Sequence, residues 1–171
     1  MEAMESQRMT SRAVPNTEVD FAEWVGPHVP AMARLADRLA PGMDRDDVVQ
    51  NALIRAWQKR GRFDPARGSA SSWLLAITAD QARKARSRTT SWVLRDGRAH
   101  VRLIDDRLDI QGAVAQLPKR QRLAIDCFYF VGLSVEETAA VMKCSEGTVK
   151  STLHDARARL RTIVEVRDGR D

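Results

Sequence analysis

From Lys150 to Arg161 the chain carries Lys150, Ser151, Thr152, His154, Asp155, Arg157, Arg159 and Arg161 among apolar residues spaced for a helix. Such side chains offer hydrogen-bond donors and acceptors that match base edges, and guanidinium groups that neutralise phosphate. A second concentration lies between Gly61 and Arg88. There Arg62, Arg67, Arg83, Lys84, Arg86 and Arg88 stand against Asp64 and Asp80, a local +4 within a chain of formal charge +5. A basic excess of this kind points to a polyanionic partner. The parts of other chemistries are not legible. His28, His100 and His154 are far apart, Cys127 and Cys144 lack a zinc-ligand spacing, and no nucleophile–base pair, carboxylate pair or phosphate-binding glycine loop is evident. The expectation is a polyanion-binding protein without catalytic residues, metal or cofactor.

These residues need elements to position them. Of 171 residues, 43% are hydrophobic and 30% charged, a globular composition, and the 5% aromatic content leaves the cores to Leu, Val, Ile and Ala. The sequence pI of about 9.8 agrees with a polyanionic partner. No apolar run approaches the roughly 20 residues that span a bilayer, and MEAMESQRMTSR lacks the apolar core of a signal peptide. A cytoplasmic protein without membrane insertion is expected.

Residues 1–20 read as a flexible tail. Phe21, Trp24, Val25, Val29, Met32, Leu35, Ala36 and Leu39 follow helical spacing, interrupted near Gly26-Pro27 and Pro30 and ended by Pro41-Gly42. Asp44 has the character of an N-cap, with Asp46 and Asp47 complementing the helix dipole. The helix that follows puts Val48, Val49, Ala52, Leu53, Ala56 and Trp57 on one face and Gln50, Asn51, Arg55 and Lys59 on the other. After the loop RFDPARGSASS, a helix from Ser72 to about Arg88 turns Trp73, Leu74, Ile77 and Gln81 or Ala82 inward. Residues 89–109, weakly patterned with a turn at Asp96-Gly97, read as a flexible linker.

A second helical module is expected over 110–166, with a frayed tail at 167–171. Pro118 suits a first helical position, Gly132 closes that helix, and Ser134 with Glu137 forms a capping-box pattern before VEETAAVM. Ser145 caps a longer helix whose Val149, Leu153, Ala156 and Leu160 form the inward stripe. A short helix, a tight KCS turn and a longer basic helix make a helix-turn-helix. The fold class is thus all-α, two small helical domains of which the C-terminal one is a helix-turn-helix. Cys127 and Cys144 read as small buried apolar residues.

DRDDVVQNALIRAWQKRGRFDPARGSASSWLLAI resembles the polymerase-binding and promoter-melting segment of bacterial sigma-70-family factors, and LPKRQRLAIDCFYFVGLSVEETAAVMKCSEGTVKSTLHDARARLR resembles their promoter −35 domain. The likeness spans Phe21 to Arg88 and Ile110 to Ile163, and the chain's size points to the extracytoplasmic-function (ECF) group. The resemblance implies a sigma factor that directs core RNA polymerase to promoters in a stress or envelope response. Its implied partners are core polymerase, promoter DNA and an anti-sigma factor.

Carried over by position, Asp47, Gln50, Asn51 and Arg55 belong to the helix face that grips the polymerase; the family usually has an acid where Asn51 stands. Arg62, Trp73, Asp80, Arg83 and Lys84 fall on the −10 surface, beside a loop that in this group receives a flipped base, with Arg86 and Arg88 following the backbone. Lys150, Ser151, Thr152, His154, Asp155 and Arg157 fall on the −35 surface. The chain departs from the family at Ala76 and Ala79, where basic residues are frequent, at Asp80, where asparagine is, and at Thr152 and Asp155, where arginine is. Two other readings stay open on the sequence. One is a stand-alone helix-turn-helix repressor whose N-terminal helices dimerise; the other is a degenerate relative that docks on polymerase without melting promoters.

Overall fold

The computed structural model describes residues 17–96 and 110–168, with side-chain surroundings for 17–88 and 110–166. Most of the expected tails and the second half of the expected linker lie outside the described residues. The chain divides into two compact units, Met1–Arg88 and Thr89–Asp171. Among the described residues the regular structure is helical, without strands.

In the first unit, α1 spans Glu18–Val25 and starts where Thr17 Oγ1 accepts from the Asp20 amide at 3.2 Å. The last residues of the stretch read as tail are therefore part of a capped helix. A 3₁₀ turn at Gly26–His28 carries Pro27, and α2 (Val29–Leu39) has Pro30 in its first turn. Each proline sits where a missing amide hydrogen costs no helical bond. Helix α3 (Arg45–Lys59) is capped as its sequence foretells: Asp44 Oδ1 accepts from the amides of Asp46 at 2.9 Å and Asp47 at 3.2 Å. Arg45 reaches both Asp46 (3.1 Å) and Asp37 of α2 (3.6 Å), and the hydrogen bond and charge of Asp46, then the charge of Asp37, raise its pKa.

Helix α4 runs Ala70–Asp96, beginning earlier and ending later than the expected Ser72–Arg88. Its first half is closely enclosed. Leu74, Leu75, Thr78, Ala79 and Ala82 are wholly buried, and Ile77 nearly so, whereas Trp73 and Gln81 are half-buried at its margin. The core is completed by Met32, Leu35 and Ala36 of α2 and Val48, Val49, Ala52 and Ala56 of α3. Helices α2 and α3 pack on each other.

The second unit contains α5 (Ile110–Ala115), α6 (Lys119–Ile125), α7 (Val135–Met142) and α8 (Glu146–Asp168). Pro118 is the residue before α6 rather than its first helical residue, and its carbonyl accepts from the Arg122 amide at 2.9 Å. Arg122 Nη2 returns to the Ala115 and Leu117 carbonyls at 2.7 and 3.2 Å, satisfying acceptors at the end of α5. Beyond Ile125 the backbone widens into a π-helical turn, Asp126–Val131, that ends at Gly132 with φ 79°. Only glycine adopts this left-handed conformation without a Cβ penalty.

The capping box is complete: Ser134 N donates to Glu137 Oε2 at 2.8 Å and Glu137 N to Ser134 Oγ at 3.1 Å. Lys143, at φ 54°, turns the chain out of α7, and Ser145 Oγ accepts from the Thr148 amide at 3.2 Å to open α8. Helices α5, α6 and α7 all pack on α8, around Val114, Leu117, Ala124, Ile125, Ala139, Met142, Val149, Leu153 and Ala156. Leu160 and Ile163 extend that contact, half-buried. The two cysteines form no disulfide; Cys127 is fully buried, and Cys144 is half-buried against this core.

Thr138 of α7 is also wholly buried, and its Oγ1 has no hydrogen-bond partner among the described residues. Thr138→Val keeps the branched shape and removes the desolvated hydroxyl. The urea midpoint should rise, with a gain of about 1 kcal/mol. A loss of stability would show that the hydroxyl is satisfied.

Candidate nucleic-acid interface

On α8 the inward stripe and the outward face separate cleanly. Val149 and Ala156 are fully buried and Leu153 is 5% exposed, while Lys150, Ser151, His154, Asp155, Arg157, Arg159 and Arg161 are all exposed. Thr152 is half-buried, and its hydroxyl donates to the Thr148 carbonyl at 2.7 Å; Ser151 Oγ donates to the same carbonyl at 3.1 Å. These back-bonds spend the hydroxyl protons and leave lone pairs to accept. Lys150 is then the donor and Ser151 an acceptor at the start of the face, with His154 one turn further. Among the described residues of the second unit, nothing covers this face. Its placement, after a capped short helix and a tight turn, is the geometry that lets a helix enter a major groove.

In the first unit two of the exposed cations are tied to neighbouring groups. Arg86 Nη1 donates to the Leu39 carbonyl at 3.3 Å, so one of its donors closes the C-terminal end of α2 while the residue itself stays exposed. Arg83 Nη2 pairs with Asp80 Oδ1 at 2.7 Å, one turn away on α4, and both are partly exposed. The acid at 80 is thus charge-compensated. Ala79 is fully buried, so the absence of a basic side chain there removes nothing from the surface; Ala76 is half-buried. Arg62, Lys84 and Arg88 are exposed.

The loop between Phe63 and Trp73 holds its own shape. Asp64 Oδ1 accepts from the Ala66 amide at 3.0 Å, and Ser69 Oγ accepts from the Ser72 amide at 3.2 Å. Phe63 and Trp73, at its two ends, lie with ring centroids 5.3 Å apart. Trp24 of α1, for which the sequence shows no more than helical spacing among apolar residues, contacts both.

The third surface is the outer face of α3. Asp47, Gln50, Asn51 and Arg55 are all exposed; Asn51 Nδ2 donates to the Asp47 carbonyl at 2.7 Å, and Arg55 Nη1 to Gln58 Oε1 at 3.1 Å. Among them stands Ile54, 56% exposed. Sequence reasoning passed over it, although its spacing from Gln50 and Asn51 puts an apolar side chain on an otherwise polar face. Tyr129 and Phe130, 52% and 38% exposed on the π-helical turn, were not assigned a role either. Among the described residues, no group of three or more His, Cys, Asp or Glu is placed to hold a metal, and no helix is long and apolar enough to cross a membrane.

Residues 24–92 match the family model for Sigma-70 region 2, and residues 107–160 that for Sigma-70, region 4. The chain is 38% identical over 133 residues to the ECF RNA polymerase sigma factor SigC of Mycobacterium tuberculosis, covering 72% of this chain and 71% of that one. It is 32% identical over 160 residues to the RNA polymerase sigma-E factor of Streptomyces avermitilis, covering 88% of each. Among solved structures, CnrH in complex with the cytosolic domain of CnrY aligns with a TM-score of 0.65 at 25% identity, over 94% of this chain and 97% of that one. The sigma factor RpoE in complex with the anti-sigma factor NepR, from Bartonella quintana, aligns with a TM-score of 0.64 at 27% identity, over 86% and 98%.

Proposed function

The chain belongs to the ECF group of the sigma-70 family, whose domains bind core RNA polymerase and promoter DNA to start transcription, and from that premise we propose how its surfaces divide the work. The first unit docks on core polymerase through Asp47, Gln50, Asn51, Ile54 and Arg55 of α3. Its α4 margin, with Arg62, Trp73 and Lys84, takes the melted −10 strand. In the second unit α8 enters the −35 major groove, where Lys150, Ser151 and His154 meet base edges and Arg157, Arg159 and Arg161 meet phosphate. The protein has no active site of its own; it acts in the cytoplasm on polymerase-bound DNA, and an anti-sigma factor holds it inactive until a stress or envelope signal.

The observation that carries this reading is the exposed polar face of α8, seated on a fully packed helix-turn-helix, in the same chain as the exposed stripe of α3. Neither contact need be strong alone, because docking on polymerase raises the effective concentration of the DNA contacts. Run-off transcription by the protein reconstituted with core polymerase, on genomic fragments, should yield discrete transcripts that core alone does not make. Absence of transcripts together with tight binding of the free protein to a palindromic site would instead assign a repressor.

Two substitutions refine the DNA surfaces. Lys150→Ala and Ser151→Ala should each weaken −35 recognition by about 5- to 100-fold, the range for one good base contact, while core binding persists. Equal loss of both activities would mean the domain had unfolded.

On α4, Asp80→Asn should strengthen capture of single-stranded DNA and steepen its salt dependence by about 0.7 in log–log slope, the increment for one more phosphate neutralised. Arg83→Ala should weaken capture by removing the cation that offsets the charge of Asp80. The double substitution should return to near the unsubstituted affinity, because the 2.7 Å pair is neutral as a unit. If the double variant stays as weak as Arg83→Ala, Arg83 contacts the strand itself.

A further inference from the structure

The rings around Trp24 join segments far apart in the chain. Trp24 lies 6.0 Å from Phe21 and 6.3 Å from His28, within its own helical arm, and 5.6 Å from Phe63 and 6.4 Å from Trp73. Three of these four contacts are edge-on, at interplanar angles of 61–69°, and the Phe21 contact is stacked at 30°. Edge-to-face pairs are directional and resist sliding, unlike simple apolar burial. Phe21 is itself anchored, 8% exposed and 5.1 Å from Trp57 of α3. Trp24 is therefore held by the helical bundle on one side and grips both ends of the 63–73 loop on the other.

That loop is poised rather than slack. Its turn at Asp64 and its cap at Ser69 are formed, Gly68 takes φ 148°, and Asp64 to Arg67 are exposed. A closed mouth fixes where the exposed turn stands relative to α4, and so removes ordering cost from any strand that binds there. We infer that Trp24 is a positioning residue for the melted −10 strand, acting through Phe63 and Trp73 to hold the 63–73 loop open to a base. The inference rests on the reading of this margin as the −10 surface.

The test uses the full chain. Hydrogen exchange is followed at the Ala66 and Arg67 amides of the free protein. With core polymerase added, binding is measured to the non-template strand of a promoter that the holoenzyme transcribes. Trp24→Leu keeps apolar bulk and removes the ring edges; Trp24→Phe keeps a ring. Trp24→Leu should speed exchange in the loop and weaken strand capture, each by about tenfold, the scale of losing two aromatic pairs. Core affinity should stay within about twofold, and Trp24→Phe should recover most of the loss. Unchanged loop exchange, a loosened loop with undiminished capture, or parallel loss of core binding would each overturn the inference. Arg62→Ala and Lys84→Ala separate it from the reading beneath it. If they weaken capture and Trp24→Leu does not, only the inference falls; if they too leave capture unchanged, this margin is not the −10 surface.

Discussion

Ile54→Asp is expected to weaken binding to core RNA polymerase by about 100-fold or more, as truncation of an interface anchor does, without altering helix content or thermal midpoint. The fold does not use this side chain: it is 56% exposed while its neighbours Val49, Ala52 and Ala56 are buried. An apolar group left in water among Asp47, Gln50, Asn51 and Arg55 loses its hydration cost when a partner covers it. A carboxylate at the same place would be desolvated by that partner without a cation to meet it. Titration of labelled core polymerase with each variant measures the effect. Ile54→Ser should fall between the two, since it removes the apolar area and adds no charge. Unaltered affinity of Ile54→Asp would show that polymerase docks elsewhere.

Leu153→Ala should cost the second unit about 2–5 kcal/mol, the usual range for a buried leucine. Leu153 is 5% exposed and lies in α8 between the fully buried Val149 and Ala156, where α5, α6 and α7 converge. A small helical unit has only several kcal/mol to lose, so a large part of the population should unfold. Urea titration read by hydrogen exchange at the α7 and α8 amides reports it. Leu160→Ala, at a half-buried position on the same stripe, should cost less. Equal costs at 153 and 160 would mean that burial is not what orders the two sites. Because the outward residues of α8 are aimed only while the stripe is packed, −35 recognition should fall with the folded fraction of the unit.

What could be read before any coordinates were the features whose causes lie within a turn of chain. Asp44, Ser134 with Glu137, and Ser145 are caps because short oxygen-bearing side chains reach amides two or three residues on, and the structure forms each of these bonds. The inward stripe of α8 follows from the helical period, so its outward residues were legible with it. Gly132 was read as a stop, and it is one, although the π-helical turn before it leaves no sequence signature comparable to a cap.

Tertiary structure decided how each charged and aromatic group is used. Arg86 and Arg88 look alike in sequence, yet Arg86 is committed to a carbonyl 47 residues away. Ala79 looks like a missing cation and is instead a wholly buried core residue of α4. Trp24, Phe63 and Trp73 meet only because α1, the loop and α4 are folded together. Residue type and spacing by themselves determined an all-helical, two-part protein with a helix-turn-helix, because propensity, caps and periodicity act over a few residues. Which cations face solvent, which acid is paired and which rings brace a loop depend on contacts between distant segments, and packing alone selects those.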